Sequence, residues 1–129
     1  MNSLRIPILK IGQALIASIQ VSLHDASAMQ FKEDLLERIH ATRARAVIID
    51  LTALDVVDSF IGRMIADLAV MARLMGTEVI LTGLQPAVAV TLVELGLELP
   101  NVHTALNLEK GLALMELQGQ EEADVVAAE

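Results

Sequence analysis

Two hydrophobic rhythms alternate along the chain. In "RIPILKIGQALIASIQV" isoleucine and leucine crowd both sides of Gly12-Gln13, which reads as two strands joined by a tight turn. The period then changes. Ala28, Phe31, Leu35 and Ile39 recur at spacings of three and four, the stripe of an amphipathic helix. Ser27 and Gln30 have capping-box spacing at its start, and Lys32, Glu33, Glu37 and Arg38 fall on the wet side. "RAVIIDL" is continuously apolar up to its acid, too short for a helix and without the alternation of a half-wet strand. It predicts a central strand covered on both faces. "SFIGRMIADLAVMARLMG" returns to the helical period, with Ile61, Met64, Ile65, Leu68, Met71 and Met75 on one side and Arg63, Asp67 and Arg73 off it. Gly76 sits where a helix stops. "TEVILTG" is another buried-type strand. "QPAVAVTLVELG" is a helix with Pro86 in its first turn and Gly96 past its end. "VHTAL" is a last strand, and "NLEKGLALMELQ" a last helix capped by Asn107. The order ββαβαβαβα predicts an α/β fold, a mostly parallel sheet flanked by helices with right-handed crossovers.

The length, 129 residues, suits one domain. The periodic part ends near residue 118. Residues 119–129 carry Glu121, Glu122, Asp124 and Glu129 without any period, the composition of a disordered acidic tail. Hydrophobic residues make up 54% of the chain and aromatic ones 2%, so the core is aliphatic and no tryptophan or tyrosine offers a stacking platform. The absence of cysteine removes thiolate metal sites, disulfides and cysteine nucleophiles. A net charge of −8 argues against nucleic acid as a partner, because phosphate contacts need clustered cations. Arg38, Arg43 and Arg45 gather where the first helix ends, and there they complement the helix dipole. No run approaches the ~18 apolar residues of a membrane span, and "MNSLRIPILKIG" lacks the pattern of a secretory signal. The expectation is a cytoplasmic protein without membrane contact.

Most catalytic patterns are missing. The scattered glycines build neither a P-loop nor a dinucleotide fingerprint. Ser59 lacks the flanking glycines of a nucleophile elbow. His24, His40 and His103 form no metal pair, so no metal or cofactor is expected, and the methionines fall mostly at core spacing. Asp50, at a strand end, occupies the place of a phosphorylated receiver aspartate. The partner acids on the first strands are absent, however, and Lys110 lies inside the last helix. Ser59 stands immediately before the second helical stripe, at the N-cap or first helical position. A capping serine satisfies a backbone N–H and stabilises by about 1 kcal/mol. The same helix end suits a phosphoryl group, whose −1.5 to −2 charges, near Asp58 and Asp55, would repel an acidic or apolar partner without changing the fold.

"LDVVDSFIGRMIADLAVMARLMG", followed by "VILTGLQPAVAVTLVELGLELPNVHTALNLEKGL", resembles STAS domains, the fold of anti-sigma-factor antagonists. It is most similar to the RsbS type, the small scaffold subunit of bacterial stressosomes, which "IPILKIGQALIASIQ" also fits. The resemblance spans about residues 5–117. It implies a non-enzymatic protein that co-assembles with RsbR-type STAS proteins into a large shell, as a homo- or hetero-oligomer, and holds an RsbT-type serine kinase in the resting state. On the Asp58-Ser59 match, Ser59 is the residue that this kinase phosphorylates, and an RsbX-type phosphatase resets it. Thr82, in "LTG", falls where RsbR-type scaffolds carry a second phosphorylated threonine; by position alone it is a strand-end threonine. Asp55, Asp58, Phe60 and Ile61 are the candidate kinase-binding surface, although helix-start packing accounts equally well for Phe60 and Ile61. RsbR-type proteins carry an additional amino-terminal sensory domain, so a chain that opens on STAS strands points to the S type.

Two other functions compete. A free anti-sigma-factor antagonist, switched by the same serine but joining no shell, differs in particle size. A nucleotide-binding or nucleotide-hydrolysing domain has no phosphate loop to support it.

Overall fold

In the computed structural model, which describes residues 6–20, 25–94 and 102–115, the chain opens with strands β1 (Ile8–Ile11) and β2 (Ala14–Ser18). They pair antiparallel across Gly12-Gln13, with Ile11 opposite Ala14. Gly12 has φ of 59°, a left-handed conformation that costs an L-residue about 1–2 kcal/mol; this is why the reversal falls at the glycine. Arg38 in helix α1 (Asp25–Thr42) donates to the Ile8 carbonyl at 3.2 Å and ties the edge strand to the helix layer.

The sequence expectation for the start of α1 needs correcting. Ser27 lies inside the helix, which already includes Asp25, and Gln30 donates to Asp34 at 2.8 Å instead of closing a capping box. Asp25 in the first turn suits the positive end of the dipole, so nothing obliges the helix to wait for the serine.

Strands β3 (Ala46–Asp50), β4 (Glu78–Thr82) and β5 (Val102–Ala105) follow, and the sheet order is β1-β2-β3-β4-β5. All pairs from β2 onward are parallel, with Ile16, Ile48 and Ile80 in register. Each parallel crossover steps to the next strand in the same direction. Crossovers of one hand therefore put α1, α2 (Ser59–Leu74) and α3 (Pro86–Glu94) on one face. The side chains agree. Leu15, Val47, Ile49 and Leu81 share a core with Phe31, Leu35, Ile65, Leu68 and Val88. The opposite residues of the same strands, Ile16, Ala46, Ile48 and Ile80, lie under the last helix, α4, which covers them with Leu112, Leu114 and Met115 over its described residues 108–115. Burial on both faces is the reason "AVII" in β3 shows no alternation. Full burial of each such aliphatic side chain stabilises by about 1.5–3 kcal/mol.

Helix α2 departs from its expected stripe at one end. Ile61, Met64, Ile65 and Leu68 are buried as predicted, whereas Met71 and Met75 are substantially exposed and Ala69 and Ala72 turn inward in their place. The inward positions toward the end of the helix are thus held by alanines, which belong to the core that faces α1. The helix closes as expected at Gly76, with φ of 82°. The Gly76 N–H bonds to the Arg73 carbonyl and the Thr77 N–H to the Ala72 carbonyl, at 3.0 and 2.9 Å, the paired bonds of a Schellman motif. Asn107 caps α4 through the Lys110 N–H at 2.9 Å. The expected acidic tail, the domain limit near residue 118, His24 and Gly96 lie outside the described residues.

Candidate functional site

The parallel strands all point their C-terminal ends to one edge of the sheet, and the loop from β3 to α2 rises there. Leu51, Leu54 and Val57 are buried. This spacing of three pins the loop to the core while Asp55 and Val56 face water. The Leu51 N–H donates to the Thr82 carbonyl at 2.8 Å and the Leu54 N–H to the Leu51 carbonyl at 2.9 Å. The loop is thus held from below and delivers Asp58-Ser59 in one place.

Of the two positions that the sequence allowed Ser59, the structure takes the second. Asp58 is the N-cap: its backbone is extended (φ −85°, ψ 176°) and its Oδ1 accepts from the Ile61 N–H at 2.8 Å. Ser59 is the first helical residue and exposed, and its hydroxyl makes no hydrogen bond among the described residues. The capping duty that would have occupied that oxygen belongs to its neighbour.

The other candidates separate by burial. Asp55 and Asp58 are exposed and Phe60 is half-buried. Ile61 is only 5% exposed and belongs to the core; of the two readings open to it, partner contact and helix-start packing, its burial favours the packing, since it begins the inward stripe of α2. Thr82 is 0% exposed. Its hydroxyl donates to Asp50 Oδ1 at 2.8 Å, and its methyl lies 3.1 Å from where a Cβ on Gly111 of α4 would stand. A kinase has no access to that hydroxyl in this conformation, and the strand-end reading accounts for it.

Asp50, the acid considered as a receiver aspartate, is held by hydroxyls. Thr82 and Thr52 both donate to Oδ1 at 2.8 Å, and Ser18 stands 3.5 Å from Oδ2. Gln85 reaches across from the β4–α3 connection to the Thr52 carbonyl at 2.6 Å. Gly83 has φ of 69°, and a Cβ there would fall 2.0 Å from Thr52 Oγ1. The cluster joins the ends of β3 and β4 to the base of the Ser59 loop.

Sequence reasoning missed the surroundings of Ser59. Met29 and Lys32 from α1, with Phe60, Arg63, Met64 and Asp67 from α2, line a shallow cleft of about 320 Å³ that Ser59 borders. Arg63 was legible, since a residue four positions on shares the helix face. Lys32 was not, because only the packing of α1 on α2 brings it there. A second cavity, about 390 Å³, opens at the far edge of the sheet between Ile39, Arg43, Arg45 and Met75, and Arg43, at φ 53°, closes α1 through its N–H to the Ile39 carbonyl. His103 Nε2 lies 2.6 Å from Glu78 Oε2, an oxygen without another donor among the described residues, and Arg73 holds Oε1 at 2.9 Å. Among the described residues no cluster of His, Asp and Glu could hold a metal ion, and no helix is long and apolar enough to cross a membrane.

Comparison with known proteins gives a consistent picture. Residues 5–111 match the STAS domain. An RsbS of Moorella thermoacetica, solved with a serine replaced by glutamate, is 42% identical with a TM-score of 0.82, covering 90% of this chain and 98% of that one. A chain from the molecular architecture of the stressosome, described as a signal integration and transduction hub, is 44% identical with a TM-score of 0.78, covering 88% and 98%. The RsbT co-antagonist protein RsbRA of Bacillus subtilis (strain 168) is 35% identical over 85 residues, 66% of this chain but 31% of the relative. The chain thus spans about a third of that protein's length.

Proposed function

The chain belongs to the STAS domain family, related to the RsbS and RsbR proteins of stressosomes, and we propose that it works as the RsbS-type scaffold. In this reading it is a binding module and not an enzyme. It co-assembles with RsbR-type STAS proteins in a cytoplasmic shell and holds an RsbT-type serine kinase at the surface around Ser59. The kinase transfers the γ-phosphoryl group of a nucleoside triphosphate to Ser59 Oγ: the new O–P bond forms as the bond to the β-phosphate oxygen breaks, the nucleoside diphosphate leaves, and a base of the kinase takes the hydroxyl proton. The modified surface releases the kinase, and an RsbX-type phosphatase hydrolyses the ester.

The observation that carries the reading is the division of labour at the start of α2. Asp58 caps the helix and Ser59 stands exposed, its hydroxyl unengaged among the described residues. A serine serving as the cap would spend its oxygen on a backbone N–H. Two supports stand beside it: the RsbS likeness covers 90% of the chain, and that relative was solved with a carboxylate side chain in place of a serine. Thr82, being buried, is left out of the switch.

The deciding experiment is phosphopeptide mass spectrometry of the full chain with and without the cognate RsbT-type kinase. Modification confined to Ser59 supports the reading; none at Ser59 under conditions that phosphorylate a known RsbS ends it.

A further inference from the structure

The cleft beside Ser59 holds two cations from two different helices. Lys32 stands on α1 and Arg63 on α2, and Asp67 is the one acid among the described lining residues. Neither Lys32 nor Arg63 has an ion pair or hydrogen bond among the described residues, although the chain carries 17 acids against 9 lysines and arginines. Met29, Phe60 and Met64 supply apolar walls; Met64 is buried and Phe60 half-buried. Lys32 is half-buried against these walls and Arg63 is exposed, so solvent screens the lysine's charge less than the arginine's.

We propose that this cleft is an intramolecular receptor for the phosphoryl group on Ser59, with Arg63 and Lys32 as its ligands. The inference rests on the reading of Ser59 as the phosphoryl acceptor and says what becomes of the group once it is attached. Arg63 lies four residues after Ser59, on the same helix face, and its planar guanidinium binds two phosphate oxygens at once. Lys32 supplies a point charge from the neighbouring helix, so the phosphate bridges α1 and α2. Asp58 and Asp67 oppose this seat, but Asp58 already accepts the Ile61 N–H, and the phosphate's −1.5 to −2 charges meet both cations together. The unmodified cleft offers a partner two positive charges, unpaired among the described residues, over apolar ground. The modified cleft has consumed them internally, so phosphorylation withdraws a cationic docking surface besides adding negative charge.

The test installs phosphoserine at position 59 during translation, which makes the result independent of any kinase. The second ionisation of the phosphate is followed by phosphorus NMR against pH, with a phosphoserine peptide as reference, near pH 6. In the folded protein at low salt it should fall about half a pH unit or more below the peptide, and salt at about 0.5 M should move it back. In the Lys32→Gln/Arg63→Gln double variant it should move back most of the way to the peptide, keeping only the share of the helix end. The charge-conserving pair Lys32→Arg and Arg63→Lys should retain the lowered value, and it decides the matter if the double variant melts early. A wild-type phosphoprotein that titrates with the peptide overturns the proposal. So does a folded double variant that titrates with the wild type, since the helix end alone would then hold the phosphate. Failure of a kinase to modify Ser59 would instead remove the proposed function and leave this result standing.

Discussion

Asp58 Oδ1 lies 2.8 Å from the backbone nitrogen of Ile61, and this one bond frees the next side chain, Ser59, from structural duty. It separates stability from switching at adjacent positions. Asp58→Ala should cost about 1 kcal/mol, the usual value of an N-cap, whereas Ser59→Ala should stay within about 0.5 kcal/mol, as at exposed sites without special contacts. Urea denaturation of both variants checks the assignment, and equal losses would contradict it.

The same separation governs kinase capture. Ser59→Asp should weaken retention of an RsbT-type kinase at least about tenfold, close to 1.4 kcal/mol. Ser59→Ala should keep the kinase bound when nucleoside triphosphate is added, while the wild type lets it go. A pull-down with immobilised kinase reads both. Wild-type behaviour in both variants would remove the serine from the switch.

Beneath the loop, Gly83 has no room for a side chain. Its φ is 69°, and an added Cβ would stand only 2.0 Å from Thr52 Oγ1. Gly83→Ala should therefore cost more than about 2 kcal/mol, strain and displacement of the Thr52 contact together. Gly12, with φ of 59° and nothing within 4 Å, carries the conformational part alone, and Gly12→Ala should cost about 1–2 kcal/mol. The difference between the two melting temperatures measures the steric share.

Thr82 gives the opposite contrast to Ser59. Thr82→Val removes one hydroxyl donor from Asp50 but leaves Thr52 in place, and should cost about 1 kcal/mol. Thr82→Asp puts a second carboxylate against Asp50 under Gly111 and should cost at least about 3 kcal/mol, visible as a large drop in the urea midpoint. An aspartate variant as stable as the wild type would mean that α4 lifts readily and that the buried hydroxyl is within reach of modification.

The element order, the two-sided burial of "AVII" and the stop at Gly76 followed from the sequence alone, since each rests on local periodicity or on a backbone conformation that only certain residues adopt. The sequence also marked Ser59 as standing where a helix begins, because capping chemistry and the onset of a 3.6-residue stripe are both local. It left the cap and the first turn undivided between Asp58 and Ser59, as either side chain can reach a free N–H and only the extended backbone at Asp58 decides. What tertiary structure alone settled are the encounters between distant segments. Thr82 is sealed by Asp50 and Gly111, 32 positions before it and 29 after it. Ile61 turns toward the sheet, and Lys32 from α1 arrives beside a serine on α2. Such contacts depend on how helices and strands pack, and no periodicity within one segment carries that information.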